Sequence, residues 1–332
     1  MKFIVTGDWH FKGVNPKARL DDFQQALTRK IYEVYDLARQ HRVEAIIVPG
    51  DLTDSPNTAW GTIAELGYVL KQAPCKVLAI HGNHDIWAGN AGSKHRTPFG
   101  MLARLGLIHD LSSESYEPYE LVPQRIYISG HGFTVDTDTE KGKHQFNCVL
   151  TEYEEWEGPI IHVVHSMLLA KPPGFDMRHT LIDQVKTNAN VIISGHEHLG
   201  FGIIKRKDGV LFINPGALCR LTAHPGEIER QVQVALLTVE NGQAHAELIP
   251  LKSALPGHEV LSREHLEQEA ERDERVERFL QLLAQEGESR FLEVREIVED
   301  IAAREQLPEE VKKEALLRIS RAREELGVTC KR

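Results

Sequence analysis

Seven side chains able to hold a metal stand at the ends of apolar runs: Asp8 and His10, Asp51, Asn83, His165, then His196 and His198. Two of the pairs are spaced two apart, so on an extended chain their members point to the same side. The set comprises two carboxylates, one amide oxygen and four imidazoles. All-oxygen sites favour magnesium or calcium and thiolate sites favour zinc. A mixed oxygen and nitrogen set suits manganese, iron or zinc. Seven ligands are too many for one ion. With one carboxylate bridging, they divide into four and four, which fits two metals about 3.5–4 Å apart. Two such ions can activate a water by lowering its pKa and can clamp the oxygens of a phosphoryl group during in-line attack. His84 and Asp85 follow Asn83 directly in Gly82-Asn83-His84-Asp85, so a further imidazole and carboxylate adjoin the ligands.

Something must bring these residues together. Five short runs rich in Ile and Val, at 2–10, 44–51, 76–85, 159–166 and 190–198, read as strands buried on both faces. Helices are predicted between several of them. Over 20–41, Leu20, Phe23, Leu27, Ile31, Val34 and Ala38 form one apolar stripe. Residues 58–72 and 97–105 are shorter candidates. Strands alternating with helices predict α/β layers, and an open α/β sheet gathers ligands beyond the carboxyl ends of its strands. From about 201 the pattern turns to hairpins, with turns at Asp208-Gly209 and Asn241-Gly242. Beyond Pro256-Gly257 the composition shifts to Glu, Arg, Leu and Ala. The expected division is a domain over 1–256 and a helical extension over 257–332, with helices at 262–286, 290–305 and 309–326.

Bulk properties narrow the function. The chain has 332 residues, 41% of them apolar, and a net charge of −10. From His258 onward there are 14 basic and 20 acidic residues. A fold that grips nucleic acid by charge alone should be basic, so any such contact must use a local basic strip or metals. Cys75, Cys148, Cys219 and Cys330 form no Cys-x-x-Cys pair, which argues against a disulfide framework or zinc knuckle and fits a reducing cytoplasm. The opening MKFIVTGDWH is too soon polar for a signal peptide. No apolar run approaches the roughly 20 residues of a membrane span, so no membrane is expected as a partner.

The segments GDWH, GD at 50–51, GNHD, the strand-end His165 and GHEH at 195–198, in that order, resemble the calcineurin-like metallophosphoesterase superfamily over roughly residues 1–240. Each motif alone is weak; five in order at predicted strand ends are specific. The resemblance implies an α/β fold, a four-layer αββα sandwich, here with a C-terminal helical extension. It implies that Asp8, His10 and His198 hold one metal, that Asn83, His165 and His196 hold a second, and that Asp51 bridges them. Manganese is the expected metal, with iron, zinc and magnesium as alternatives. His84 would serve as general acid or charge stabiliser for the leaving oxygen, with Asp85 orienting it. Asp54 is expected to support the second-motif turn.

MKFIVTGDWHF together with INPGALCR (213–220) is similar to the SbcD-type exonucleases, nuclease subunits of double-strand-break repair. That branch implies a DNA exo- or endonuclease and a helical segment docking on a coiled-coil ATPase; homodimers are common in it. The competing reading is a phosphodiesterase or phosphatase for a small substrate such as a cyclic nucleotide or dinucleotide. A non-catalytic scaffold on the same fold should show eroded ligands, and none is missing here. Trp9, His131 and Arg220 are candidate substrate contacts: Trp9 to stack on a base, Arg220 to hold a phosphate, His131 from its loop. Burial beside the site, a surface location and a plain loop position are the respective structural alternatives. His81, inside a strand, is expected to be a satisfied core histidine, and Glu197 to point away from its neighbours.

Overall fold

The computed structural model describes residues 1–112, 119–121, 126–149, 158–264, 297–299, 301–303 and 307–325. Two compact units are present, Met1–Ser262 and Arg263–Arg332. Among the described residues of the first, fourteen strands run in chain order: β1 (Lys2–Val5), β2 (Ala45–Val48), β3 (Lys76–Ala79), β4 (His109–Asp110), β5 (Tyr119–Leu121), β6 (Ile126–His131), β7 (Ile160–Ser166), β8 (Leu168–Leu169), β9 (Thr180–Leu181), β10 (Val191–His196), β11 (Gly202–Lys205), β12 (Leu211–Asn214), β13 (Gln233–Glu240) and β14 (Gln243–Pro250). They build two six-stranded sheets, ordered β14-β13-β1-β2-β3-β4 and β11-β12-β10-β7-β6-β5, while β8 and β9 pair separately.

Strand alternation sorts the side chains into layers. Phe3, Val5, Ala45, Ile47 and Leu78 of the first sheet meet Ile128, Ile161, Val163, Val191 and Ile193 of the second in a core between the sheets. Ile4, Ile46, Val48 and Val77 face the other way and pack against helix α1 (Phe23–His41), helix α2 (Trp60–Lys71) and helix α3 (Pro98–Arg104). On the outer face of the second sheet, Tyr127, Ile160, Ile192 and Phe212 are covered by Phe146, Cys148, Ile182 and Val185. Phe146 and Ile182 come from short 3-10 helices, Lys141–Phe146 and Ile182–Gln184. The protein is thus a mixed α/β sandwich with parallel strands at the centre of both sheets.

The five predicted strands are present but end sooner than their apolar runs, because the polar residues belong to the turns. Strand β6 has no counterpart among the sequence expectations. α1 begins three residues after the predicted start, since the Asp22 side chain accepts from Gln25 N and caps the helix. Leu20 therefore lies outside the stripe and is exposed. Both predicted hairpins form as antiparallel pairs. Two short helices follow, α4 (Pro225–Glu229) and α5 (Gly257–Val260). α5 stays with the first unit: Leu20 N donates to Val260 O and Ser262 N to Ala18 O. In the second unit, helix α6 (Glu309–Glu325) stands within the predicted 309–326. The predicted helix at 262–286 and most of that at 290–305 lie outside the described residues. Among those described, no helix is long and apolar enough to cross a membrane.

Candidate metal centre

Strands β1, β2 and β3 run parallel, as do β7 and β10, so their carboxyl ends open on one rim. Asp8 and His10 follow β1, Asp51 follows β2, Asn83 and His84 follow β3, His165 is the penultimate residue of β7 and His196 the last of β10, and His198 lies just beyond. His10, Asp51 and His196 each take a positive φ, of 47°, 47° and 77°. Non-glycine residues accept that conformation mainly where surrounding structure enforces it, and such positions cluster at functional sites. Gly82 leaves room for the carboxylate, since a Cβ there would stand 2.1 Å from Asp51 Oδ1.

The structure brings together Asp8, His10 and His198, brings together Asp51, His165 and His196, and links them through His10, Asp51 and His84; donor atoms within each trio lie within 4.8 Å. His10 Nε2 is 3.0 Å from His198 Nε2, and His198 Nε2 is 3.4 Å from Asp8 Oδ2. Asp51 Oδ2 stands between the two halves, 3.4 Å from His10 Nε2 and 3.3 Å from His165 Nε2. Asn83 Oδ1 is 3.0 Å from the same His165 Nε2.

These contacts test whether a metal fits. His165 Nδ1 donates to the Pro49 carbonyl at 2.8 Å. A neutral ring therefore turns a bare Nε2 toward Asn83 Oδ1 and Asp51 Oδ2, and acceptor faces acceptor. Only a proton or a cation relieves that. Without a cation the ring takes the proton: burial opposes the charge, yet Asp51 and Asp8 outweigh it and push His165 up to about 10. Asp8 is held below the ordinary carboxylate range, since His198 and His165 outweigh its burial. The same balance, through His165 and His10, holds Asp51 low. His196 is driven down to about 4 by burial and the His165 charge. The donor set and its unshared lone pairs fit two divalent cations.

His84 stands apart in chemistry. Its backbone N–H donates to Asp51 Oδ1 at 2.8 Å and its ring packs 4.6 Å from His10. The Nδ1–H donates to the Asp54 carbonyl at 2.8 Å, leaving Nε2 without a hydrogen-bond partner among the described residues. The expected orienting role of Asp85 is corrected here. Its buried carboxylate turns back to accept from Gly82 N, Leu52 N, Thr53 N and Thr53 Oγ1, tying the second and third motif turns together. Burial and Asp51 raise it to about 6. Asp54 takes the orienting place. Its Oδ1 lies 3.3 Å from His10 Nδ1 and its Oδ2 2.8 Å from Lys12 Nζ. Despite partial burial, His10 and Lys12 hold it down to about 2.

Two expected substrate contacts are corrected in place: neither Trp9 nor Arg220 offers one at the rim. Trp9 is wholly buried and donates to Thr6 Oγ1, so it has no face for a base. Arg220 is buried with its guanidinium on the Leu255 and Arg230 carbonyls. The segment around it pins the rim: Leu218 N donates to Asp8 O, and Ala217 N to His198 O. His131 is half-buried, its Nδ1 on the Gly132 carbonyl and its ring against His144. His81 is a satisfied core histidine, on Ser112 Oγ and the Phe133 carbonyl. Glu197 accepts from Gly200 N.

Two neighbours carry no expectation from the sequence. The Phe133 ring packs 6.2 Å from His165 and 5.7 Å from His196. Asp138, at φ 60°, accepts from Ser166 Oγ, Met167 N and Thr180 Oγ1, bracing the chain just past His165. Phe133 could have been found two residues beyond His131; a lone Asp in an acidic loop carries no signal.

Two solved structures are similar at 12% identity. The protein TT1561 of Thermus thermophilus covers 74% of this chain and 98% of its own, with a TM-score of 0.44. A dimetal phosphatase from Danio rerio, LOC 393393, covers 75% and 96%, with a TM-score of 0.49. No curated protein matches. Over residues 1–200, which carry every strand-end donor described above, the chain matches the family model of the calcineurin-like phosphoesterases, whose members use two divalent metals, and to that family it belongs.

Proposed function

We propose that the chain is a two-metal phosphodiesterase acting on nucleic acid, as a DNA exo- or endonuclease of the SbcD type. The observation that carries the metal part is the approach of Asp51 Oδ2 and Asn83 Oδ1 to His165 Nε2, at 3.3 Å and 3.0 Å, with His84 alongside. Asp8, His10 and His198 would hold one cation, Asn83, His165 and His196 the other, and Asp51 both. Manganese suits the donors best, with iron, zinc and magnesium as alternatives. Two bound cations would supply Lewis acidity and positive charge against a phosphodiester. As an imidazolium, His84 would give the leaving oxygen its proton from Nε2 and keep the Nδ1–H committed to the Asp54 carbonyl. The bond from His84 N to Asp51 fixes that ring relative to the shared carboxylate. Asp54 steadies His10 and His84 together; Asp85 positions the turns from behind.

The DNA reading rests on MKFIVTGDWHF, INPGALCR and the Glu/Arg-rich tail. It is tested by metal content paired with degradation of duplex and single-stranded DNA. A folded sample carrying two ions without action on any DNA would reject it. The net charge of −10 favours the second reading, a small phosphodiester substrate. Comparing bis-p-nitrophenyl phosphate, cyclic nucleotides and DNA under one metal separates the two. The tail is proposed to dock on a coiled-coil ATPase, in a cytoplasmic setting and as part of a homodimer. Because residues 257–262 pack on the first unit, removal of 263–332 is the appropriate deletion. It should abolish co-purification of the ATPase and spare diester hydrolysis; loss of hydrolysis as well would make the tail part of the catalytic fold.

A further inference from the structure

A second concentration of charge lies along α1. Arg19, Arg29, Lys30 and Arg220 line one small solvent-open cleft, where, among the described residues, Asp21 is the only lining carboxylate. Such a group is unexpected in a chain of net charge −10. Asp21 is already engaged, accepting from Arg19 Nε and Nη2 at 2.8 Å each. Lys30, only 4% exposed, has one acceptor, the Leu218 carbonyl at 2.6 Å, for its three donors. Arg220, also 4% exposed, keeps its Nε without a partner on the same cleft. Arg29 is exposed and has no ion pair among the described residues. The unmet groups here are donors and cations. Unpaired buried donors and charges are costly, and a water would meet the hydrogen bonds but not the charge.

We propose that this cleft binds a phosphate-class oxyanion, held by Arg29, Lys30 and Arg220. Guanidinium groups suit such an anion because their forked N–H groups match its oxygens. Burial, and the guanidinium groups of Arg19, Arg230 and Arg220, push Lys30 down to about 7, the state of a cation short of its counter-ion. The site is separate from the rim, and its existence does not depend on the nuclease reading. The anion is either free phosphate or a backbone phosphate of nucleic acid.

The test titrates inorganic phosphate, and separately a single-stranded DNA oligonucleotide, into the full-length metal-loaded protein by calorimetry. Hydrolysis of bis-p-nitrophenyl phosphate is followed on the same samples. Arg29→Glu should weaken one binding event at least tenfold and leave both the hydrolytic rate and competitive inhibition by phosphate unchanged. If phosphate titration loses that event, the ligand is the free anion. If instead the oligonucleotide weakens and its salt slope falls by about one, the ligand is a backbone phosphate. Unchanged affinity for both overturns the site. Lys30→Met should reproduce the loss. Should that buried variant fail to fold, Arg29→Glu, on the surface, still decides.

Discussion

Two regions of this molecule are unsatisfied in opposite senses. At the strand ends, Asp51, Asn83 and His165 turn lone pairs toward one another. In the cleft beside α1, Arg220 Nε has no acceptor and Lys30 has one acceptor for its three donors. Buried polar groups are almost always paired. The sign of what is missing therefore tells the sign of what binds: cations at the rim, an anion in the cleft. Among the described residues, the rim has an imidazole placed for proton transfer and the cleft lining has none, so chemistry is expected at the rim and recognition alone in the cleft.

The strongest way to break this contrast is at Asp51. Asp51→Ala removes the carboxylate shared by both halves of the rim, and should lower the hydrolytic rate more than a thousandfold while emptying metal; the orienting partners of ligands alone are worth about 10–100-fold. A metal-replete, active variant would remove the rim's need for cations. His84→Ala separates holding from chemistry. It should cost about 10²–10⁴-fold in rate with metal content at the wild-type level, as read by plasma mass spectrometry; a loss of metal would make His84 a ligand. Asp54→Ala should cost about 10–100-fold in metal affinity or rate, whereas an effect within twofold would return Asp54 to turn support alone.

The contrast is sharpened by a group that lacks nothing. His162 donates from Nε2 to the Gln145 carbonyl and accepts at Nδ1 from Ser129 Oγ. Burial lowers it from 6.5 to about 4, so the folded ring is neutral. Its contribution is complete above about pH 6.5, falls as pH drops, and is lost by about pH 4. It amounts to about 3 kcal/mol. Urea unfolding at neutral and acid pH should show His162→Gln losing less stability on acidification than the wild type. An equal acid loss in both would place the titration elsewhere.

The rim was legible in sequence because its donors are short-range signals. Each sits where an apolar run stops, so Ile-Val periodicity and a following Asp, Asn or His marked together a strand and a donor gathered at its end. The errors share one cause. Asp85 adjoins His84 in sequence, but the turn carries its carboxylate backward onto amides 82, 52 and 53. The group that meets His84 comes from Asp54, thirty residues away. Trp9 looked available beside two ligands, yet strand packing buries it. Arg220 looked free because nothing in INPGALCR announces carbonyls at 230 and 255. The basic cleft was not legible, since its cations come from α1 and from chain segments far apart in sequence.

The central claim is that the rim holds two ions through one shared carboxylate. Manganese titrated by calorimetry into chelator-treated full-length protein should fill two sites per chain, and Asp51→Asn should weaken both of them. Filling at one site or none, or two sites indifferent to Asp51, would contradict it.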